Sequence, residues 1–393
     1  MNKLKQLIQQ YCPDGVEFKK LETIATIYTG QQFNKRDMND SGTYPVINGG
    51  IDPSGYIEDY NETENTITIS QGGASAGYVN WLSSKFWLGA HCYAIKPKDE
   101  ASNRYLYFVL KNLENKIMSG KQGAGIPGLN RKVLFNLDIP VPPIEVQRKI
   151  VQILDNFTEL EAELEAELEA RKRQYEYYRD QLLSFKNLTG GGKTDVVWKT
   201  LGEIATFKRG KYFQKSDFQD EGVPCIHYGQ LYTYYKTFTD KTIKFVSEEV
   251  AAKSTMIKPQ SVIVTLTSEN VEDVCTPLAW IGHSDVAISG HSVGLETEMN
   301  PKFIAHYLKT SHFFKEKRKK ARGAKVVEIK PEELAKINIP VPSRQEQDKV
   351  VGILDHFEKL VNDISEGLPA EIAACHKQYE YYRDQLLTFK RKA

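Results

Sequence analysis

The sequence predicts an α+β protein in which two globular mixed α/β units are separated by two long helices, one tandem unit written twice in a chain of 393 residues. Three observations predict it. The segment Gln174-Tyr-Glu-Tyr-Tyr-Arg-Asp-Gln-Leu-Leu183 recurs unchanged as Gln378 to Leu387. Ile139-Pro-Val-Pro142 and Gln147-x-Lys-x-Val-x-Ile-Leu-Asp-x-Phe157 recur as Ile339 to Pro342 and Gln347 to Phe357. Between these markers apolar residues fall at steps of three and four in both copies, the pattern of an amphipathic helix.

The first unit spans residues 1–143, with a helix at its N-terminus. Asn65 to Ser70 alternates and is β-branched as a strand is, Gly49-Gly50 and Gly72-Gly73 read as turns, and a helix is expected near Arg104 to Met118. Residues 144–189 form the first long helix, opened by Pro142-Pro143, since proline is tolerated only in a first turn. Its stripe includes Ile153, Leu154, Phe157, Leu160, Leu164, Leu168, Tyr175, Tyr178, Leu182 and Phe185. About 40 residues at ~1.5 Å each give roughly 60 Å, too long to pack on one domain of this size, so a coiled-coil pair with the matching second stripe is expected.

The second unit spans 190–342. Gly190-Gly191-Gly192 reads as its linker, Ser261 to Thr267 as a strand and Pro301 to Lys320 as helix. Residues 343–393 form the second long helix, with Val350, Ile353, Leu354, Phe357, Leu360, Ile364, Leu368, Ile372, Tyr379, Tyr382, Leu386 and Phe389 on its stripe. Gly367 and Pro369 interrupt it, and a kink or short break is expected there. In the first helix Glu159 to Ala170 repeats a Leu-Glu-Ala-Glu tetrad almost three times. That is either a solvated helix of high propensity or a ruler in which each added tetrad lengthens the rod by ~6 Å.

Composition excludes several classes. At 40% hydrophobic and 26% charged residues the chain is long enough for two or more cores, and Lys+Arg 52 against Asp+Glu 51 leaves a net charge of +1, so any electrostatic footprint must be local. No apolar run approaches the roughly 18 residues of a membrane span, and Met1-Asn2-Lys3-Leu4-Lys5-Gln6 leads into Gln9-Gln10 rather than a signal-peptide core. A cytoplasmic protein without membrane association is expected. Cys12, Cys92, Cys225, Cys275 and Cys375 contain no C-x-x-C pair, and His91-Cys92 and Cys375-His376 lack a second ligand pair at finger spacing, so neither disulfides nor a metal site is expected.

Three patterns imitate active sites. Gly190-Gly-Gly-Lys193-Thr194 ends like a P-loop, but Asn187 stands where its first glycine belongs and a long helix precedes it instead of a strand. Gly123-Ala-Gly125-Ile-Pro-Gly128 matches G-x-G-x-x-G, yet Pro127 obstructs the loop-to-helix turn and the copy at Gly323 lacks the other glycines. Asp14, Glu17 and Lys19 spell a nuclease-like set with no room for the hairpin that would join its carboxylates. No catalytic set is expected in this chain.

Nucleic-acid binding is suggested locally. Lys315, Lys317, Arg318, Lys319, Lys320, Arg322 and Lys325 crowd a helix end and the Gly323 turn, and Lys121, Gln122, Asn130, Arg131 and Lys132 flank the equivalent first turn. Such clusters neutralise phosphates, although a solvated basic helix end has the same composition. Lys208, Arg209 and Lys211 add to the basic set. Gln71, Ser75, Asn80, Ser268 and Asn270, on or beside loops, are side chains of the type that reads base edges. Tyr228, Tyr232, Tyr234 and Tyr235 suit either DNA contact or an aromatic core.

Two dissimilar globular units, each closed by Ile-Pro-Val-Pro, a Gln-x-Lys-x-Val-x-Ile-Leu-Asp helix start and a near-identical helix end, resemble the specificity subunit of type I restriction-modification enzymes over essentially the whole chain. The resemblance implies two target-recognition domains, each reading half of a split site in double-stranded DNA, separated by two long antiparallel coiled-coil helices in pseudo-twofold arrangement. It implies that residues Met1 to Cys12 lie near the end of the second helix. It further implies two modification (methyltransferase) subunits held by the helices, together with restriction or translocase subunits. S-adenosylmethionine, ATP and Mg would sit on those partners and none in this chain. Candidate residues for helix pairing and subunit docking are Phe157, Leu160, Leu164, Leu168, Tyr175, Tyr178, Leu182, Phe357, Leu360, Ile364, Tyr379, Tyr382 and Leu386. The competing expectations are a coiled-coil protein-binding scaffold without DNA specificity, which predicts no salt-sensitive DNA affinity, and an enzyme with an unrecognised site, which requires activity from the isolated chain.

Overall fold

A computed structural model describes residues 2–33, 35–39, 41–123, 125, 127–185, 196–211, 213–362 and 367–392. The Gly190 linker and Ile364 lie outside these residues. The chain forms two compact units, residues 1–165 with 371–393, and residues 166–370. Each unit therefore contains one globular head, the start of one long helix and the end of the other.

The first long helix runs unbroken over Ile144–Ser184, 41 residues. Along the second stripe the expected interruption is present, with one helix over Arg344–Asn362 and another over Leu368–Leu387, and Gly367 at φ +71° between them. A side chain at Gly367 would meet the Leu360 carbonyl at 2.6 Å, so the break is fixed by a residue that only glycine fills well.

The first head is built on an antiparallel sheet ordered Ala25–Thr29, Cys92–Pro97, Thr66–Ser70, Val79–Leu82. The second uses the same order in Ala205–Arg209, Ser292–Thr297, Ser261–Thr265, Pro277–Trp280, with Phe238–Thr239 added at the edge. The central strands Thr66–Ser70 and Ser261–Thr265 are buried at every residue, as strands covered on both faces must be. The expected first-head helix divides into Asn103–Asn112 and Glu114–Ser119, and the second-head helix into Pro301–Tyr307 and Ser311–Lys320.

The repeated Ile-Pro-Val-Pro forms a two-stranded ladder. Glu17–Lys20 pairs antiparallel with Asp138–Val141, and Val197–Thr200 with Asn338–Val341, in the same register, Pro142-Pro143 and Pro342-Ser343 then each leading into a long helix. The repeated glutamines lock that helix start. Gln147 is fully buried, donates to the carbonyls of Pro142 (2.8 Å) and Glu100 (3.0 Å), and accepts from the Ser102 N–H (2.8 Å). Gln347 donates to Pro342 and accepts from the Asn300 N–H in the same way. The repeated aspartates tie the next turns to the head, Asp155 to Arg104 at 2.7 Å and Asp355 to Lys302 at 2.7 Å.

The identical helix ends plug the cores. In the first unit Leu386 and Leu387 join the main apolar cluster with Leu21, Ile95 and Ile150, and the Val16 N–H donates to the Lys390 carbonyl at 2.9 Å. Cys12 and Val16 lie in that same cluster, beside the end of the second helix. In the second unit Tyr175 and Leu183 occupy the corresponding place beside Leu201, Leu295 and Val350. Helix segments run antiparallel within each unit. Phe157 stacks on Tyr382 at 5.3 Å in the first, and Tyr178 lies 6.0 Å from Phe357 in the second.

Candidate nucleic-acid interface

In the first head, the strand end Ser70, the strand start Cys92 and a short hairpin turn converge at the end of the sheet opposite the helix start. Gln122 and Gly128 exchange both backbone hydrogen bonds (2.9 and 2.8 Å), and Gly128 bridges to Gly72. Gly123 takes φ +117° to close the turn. The Ser75 hydroxyl donates to the Gly49 carbonyl at 2.7 Å, and Lys121 Nζ to the Ala74 carbonyl at 3.0 Å, so the loops around Gly49, Ser75 and Lys121 are tied together. Gln71 is half-buried at this rim and Gln122 exposed.

The second head repeats the arrangement two hundred positions on. Arg322 and Glu328 exchange both backbone bonds (3.0 and 2.8 Å), Gly323 takes φ +109°, and Val327–Glu328 pairs with Thr267–Ser268. A Cβ at Gly323 would stand 1.9 Å from the Val326 carbonyl oxygen. Where the first head has Gly49-Gly50, the second has a helix over Tyr228–Thr233 capped by His227, which packs edge-on against Phe213 and Phe218. Burial, helped by Lys215 and His291, pushes His227 down to about 4. Tyr228 lies 4.9 Å from His291, and Tyr232 donates to the Thr267 carbonyl at 2.6 Å. The two rims thus share the glycine turn and differ beside it, one glycine-rich and one aromatic.

The candidate basic residues divide. Lys132, Lys211, Arg318 and Lys325 are exposed, and among the described residues none has an ion-pair partner. Arg131 lies 5.5 Å over the Tyr93 ring. Others are engaged: Lys208 with Glu296 (2.8 Å), Arg209 with Glu328 (3.7 Å), Lys319 with Glu316 (2.6 Å), Lys320 with Glu333 (3.3 Å), and Arg322 with the carbonyls of Lys319 and Ala321. These surface pairs are weak enough to exchange for phosphate. Lys317 corrects the expectation: it is buried, and its ammonium donates to the carbonyls of Glu272 (2.7 Å) and Val274 (2.6 Å). Desolvation lowers its pKa, as it does for any amine taken inside.

Among the polar candidates, Asn130 caps the helix Arg131–Phe135, Asn270 is held by Asp273 at 2.7 Å, and Asn80 accepts from the Trp81 N–H within its strand. Ser268 is half-buried on the short strand beside the turn. The helix candidates divide as well. Phe157, Tyr178, Phe357, Tyr379 and Tyr382 make helix or junction contacts, Leu164 is half-buried, and Leu168, Tyr175, Leu182 and Leu386 pack into head cores. Leu160 (44% exposed) and Leu360 (45%) face solvent. A leucine every fourth residue advances by about 40° per step on a 3.6-residue helix, so a tetrad ladder cannot keep one face inward.

Beneath the second head the helix junction is polar. Fully buried His306 contacts Tyr175 OH at 3.2 Å and Asp355 at 3.0 Å, while Glu358 accepts from Thr237. Although desolvation pushes Asp355 up, hydrogen bonds from His306 and Lys302 hold it below the ordinary carboxylate value. His306, Asp355 and Glu358 bring ligand atoms within 4.8 Å of one another, the spacing of a cation site. Lys302 lies 2.7 Å from Asp355 and Lys309 3.8 Å from Glu358, and these ammonium groups already supply the compensating charge.

The sequence aligns His91 with His291, yet neither is among the residues expected at the interface; both stand exposed in equivalent turns of the two rims. Their alignment at the same spacing as Gly123 and Gly323 was the available signal.

Two sheet-built heads with a common frame and different rims, joined to long helices, define a paired reader on a helical scaffold. The family model of the type I restriction modification DNA specificity domain matches residues 13–170 and again 193–374. The chain is 32% identical over 405 residues to the specificity subunit of the type I restriction enzyme EcoR124I/EcoR124II of Escherichia coli, covering 96% of this chain and 95% of that one. Its fold resembles the crystal structure of the S subunit of the type I system from M. genitalium (TM-score 0.57, 20% identity, 95% and 96% of the two chains). It also resembles a chain solved in work on assembly and conformational transition of the type I system (TM-score 0.61, 16% identity, 95% and 98%). The chain belongs to the type I restriction-modification specificity-subunit family, whose members are non-catalytic components of their complexes. No helix among the described residues is long and apolar enough to cross a membrane.

Proposed function

We propose that the two heads, residues 1–143 and 190–342, each read one half of a bipartite duplex sequence, and that the helices of 144–189 and 343–393 each dock one modification subunit. One observation carries this: the heads keep the same strand order and the same glycine turn while their rims diverge, as two readers of different sequences require. Two equivalent docking surfaces are supported by Tyr177 and Tyr381. Both lie in the identical decapeptide and both are 61% exposed, so core packing does not account for their identity. Adenine methylation with S-adenosylmethionine, and ATP- and Mg-dependent translocation and cleavage, belong to the partner subunits in this reading.

Methylome sequencing of cells expressing this chain with its modification subunit tests it. The expected result is one bipartite motif with a fixed unread gap, and an affinity for that duplex that falls steeply as salt rises. Continuous motifs, or salt-independent affinity, would overturn the reading.

A further inference from the structure

We infer that His91 and His291 are matched DNA-backbone contacts, one imidazole N–H per head donated to a phosphate oxygen. The inference rests on the reading of both heads as DNA-binding. Both histidines sit third in a four-residue turn closed by a backbone bond, from Cys92 to Gly89 (3.3 Å) and from Ser292 to Ser289 (3.1 Å). Both carbonyls accept from the residue that follows the buried central strand, Gln71 in one head (3.0 Å) and Leu266 in the other (2.8 Å). The fold thus uses the backbone of this position, which any residue would supply.

The side chain is a separate matter. His91 is exposed, and among the described residues its ring has no hydrogen-bond or ring partner. His291 is also exposed, steadied by Thr267 Oγ1 at 3.1 Å from Nδ1 and by Tyr228. An imidazole has therefore been kept at one surface point of two rims that otherwise differ around it. What two different half-sites share at matched points is the phosphodiester backbone, whereas a base-reading residue would be expected to change with the sequence read. A neutral imidazole carries one N–H donor and needs no protonation to serve a phosphate.

The test uses the full chain assembled with its modification subunit. Affinity is measured for the cognate duplex, for duplexes with single base changes, and for duplexes with one neutral methylphosphonate at each backbone position. His91→Ala and His291→Ala are each expected to weaken binding on the order of tenfold, the size of one hydrogen bond to a charged group. The loss should be equal for every base variant, and one methylphosphonate per half-site should weaken the wild type while leaving the matching variant unaffected. Unchanged affinity, a loss confined to particular base pairs, or methylphosphonate effects that simply add to those of the variants would overturn the inference. Failure of the wild-type complex to bind the cognate duplex would instead overturn the DNA-reading function itself.

Discussion

At the scale of single residues, charge type and charge availability part company. Lys317 belongs by sequence to the densest basic run of the chain, yet it holds the segment around Glu272 and Val274 from inside. Replacing it with methionine leaves two carbonyls without their donor, and Lys317→Met should lose about 1–3 kcal/mol of stability in urea unfolding. The salt slope of DNA binding should stay as in the wild type for that variant, whereas Lys325→Met should reduce it by about one unit. His227 gives a pH signature. An unfolded histidine titrates near 6.5, whereas burial holds this one at about 4 in the fold. The unfolded chain therefore takes up the proton first, so the stabilisation is complete above about pH 6.5 and is lost as pH falls toward 4. His227→Asn, which keeps a helix-capping side chain, should flatten that decline in unfolding midpoints measured between these pH values.

At the scale of elements, the long helices were legible because apolar steps of three and four sustained over about forty positions fit a helix and neither a strand nor a loop. The strands Thr66–Ser70 and Ser261–Thr265 were legible from β-branching, and the break beside Gly367 from its residue types. The packing of Tyr175, Leu182 and Leu386 on head cores was hidden, because a stripe shows that a face is covered and not what covers it. The aromatic rim of the second head was hidden for a related reason, since tyrosines 228 to 235 have one composition in a core and on a surface. The Leu-Glu-Ala-Glu tetrads lie wholly inside the unbroken helix Ile144–Ser184. Deleting four residues within Leu160 to Ala170 should shorten the rod by ~6 Å and the unread gap by one to two base pairs at ~3.4 Å per pair. Methylated motifs of the deletion strain read this directly, and an unchanged gap with intact methylation would show that the tetrads set no distance.

At the scale of the molecule, each copy of the chain's most repeated sequence packs on the head it does not follow: the copy after the first head closes the second, and the copy after the second head closes the first. Leu387 is buried with Leu21 and Ile95, and Leu183 with Leu201 and Leu295. Leu387→Ala should cost about 2–5 kcal/mol and act on the unit that carries the chain's N-terminal head, while Leu183→Ala acts on the other. Calorimetry of the two variants should show opposite members of a pair of transitions lowered, and equal lowering of both would refute the division.

Those ten identical residues also bear on descent. A fixed plug that closes two different heads requires only that each head keep one socket, the surface around Leu21 in the first and Leu201 in the second. Everything at the opposite rim can then drift, or arrive whole from another gene, without disturbing assembly. The identical decapeptides beginning at Gln174 and Gln378 mark the boundaries at which such an exchange would leave both plugs intact. A cell could thus acquire a new recognition sequence by replacing one head, with the partners that modify DNA left as they are.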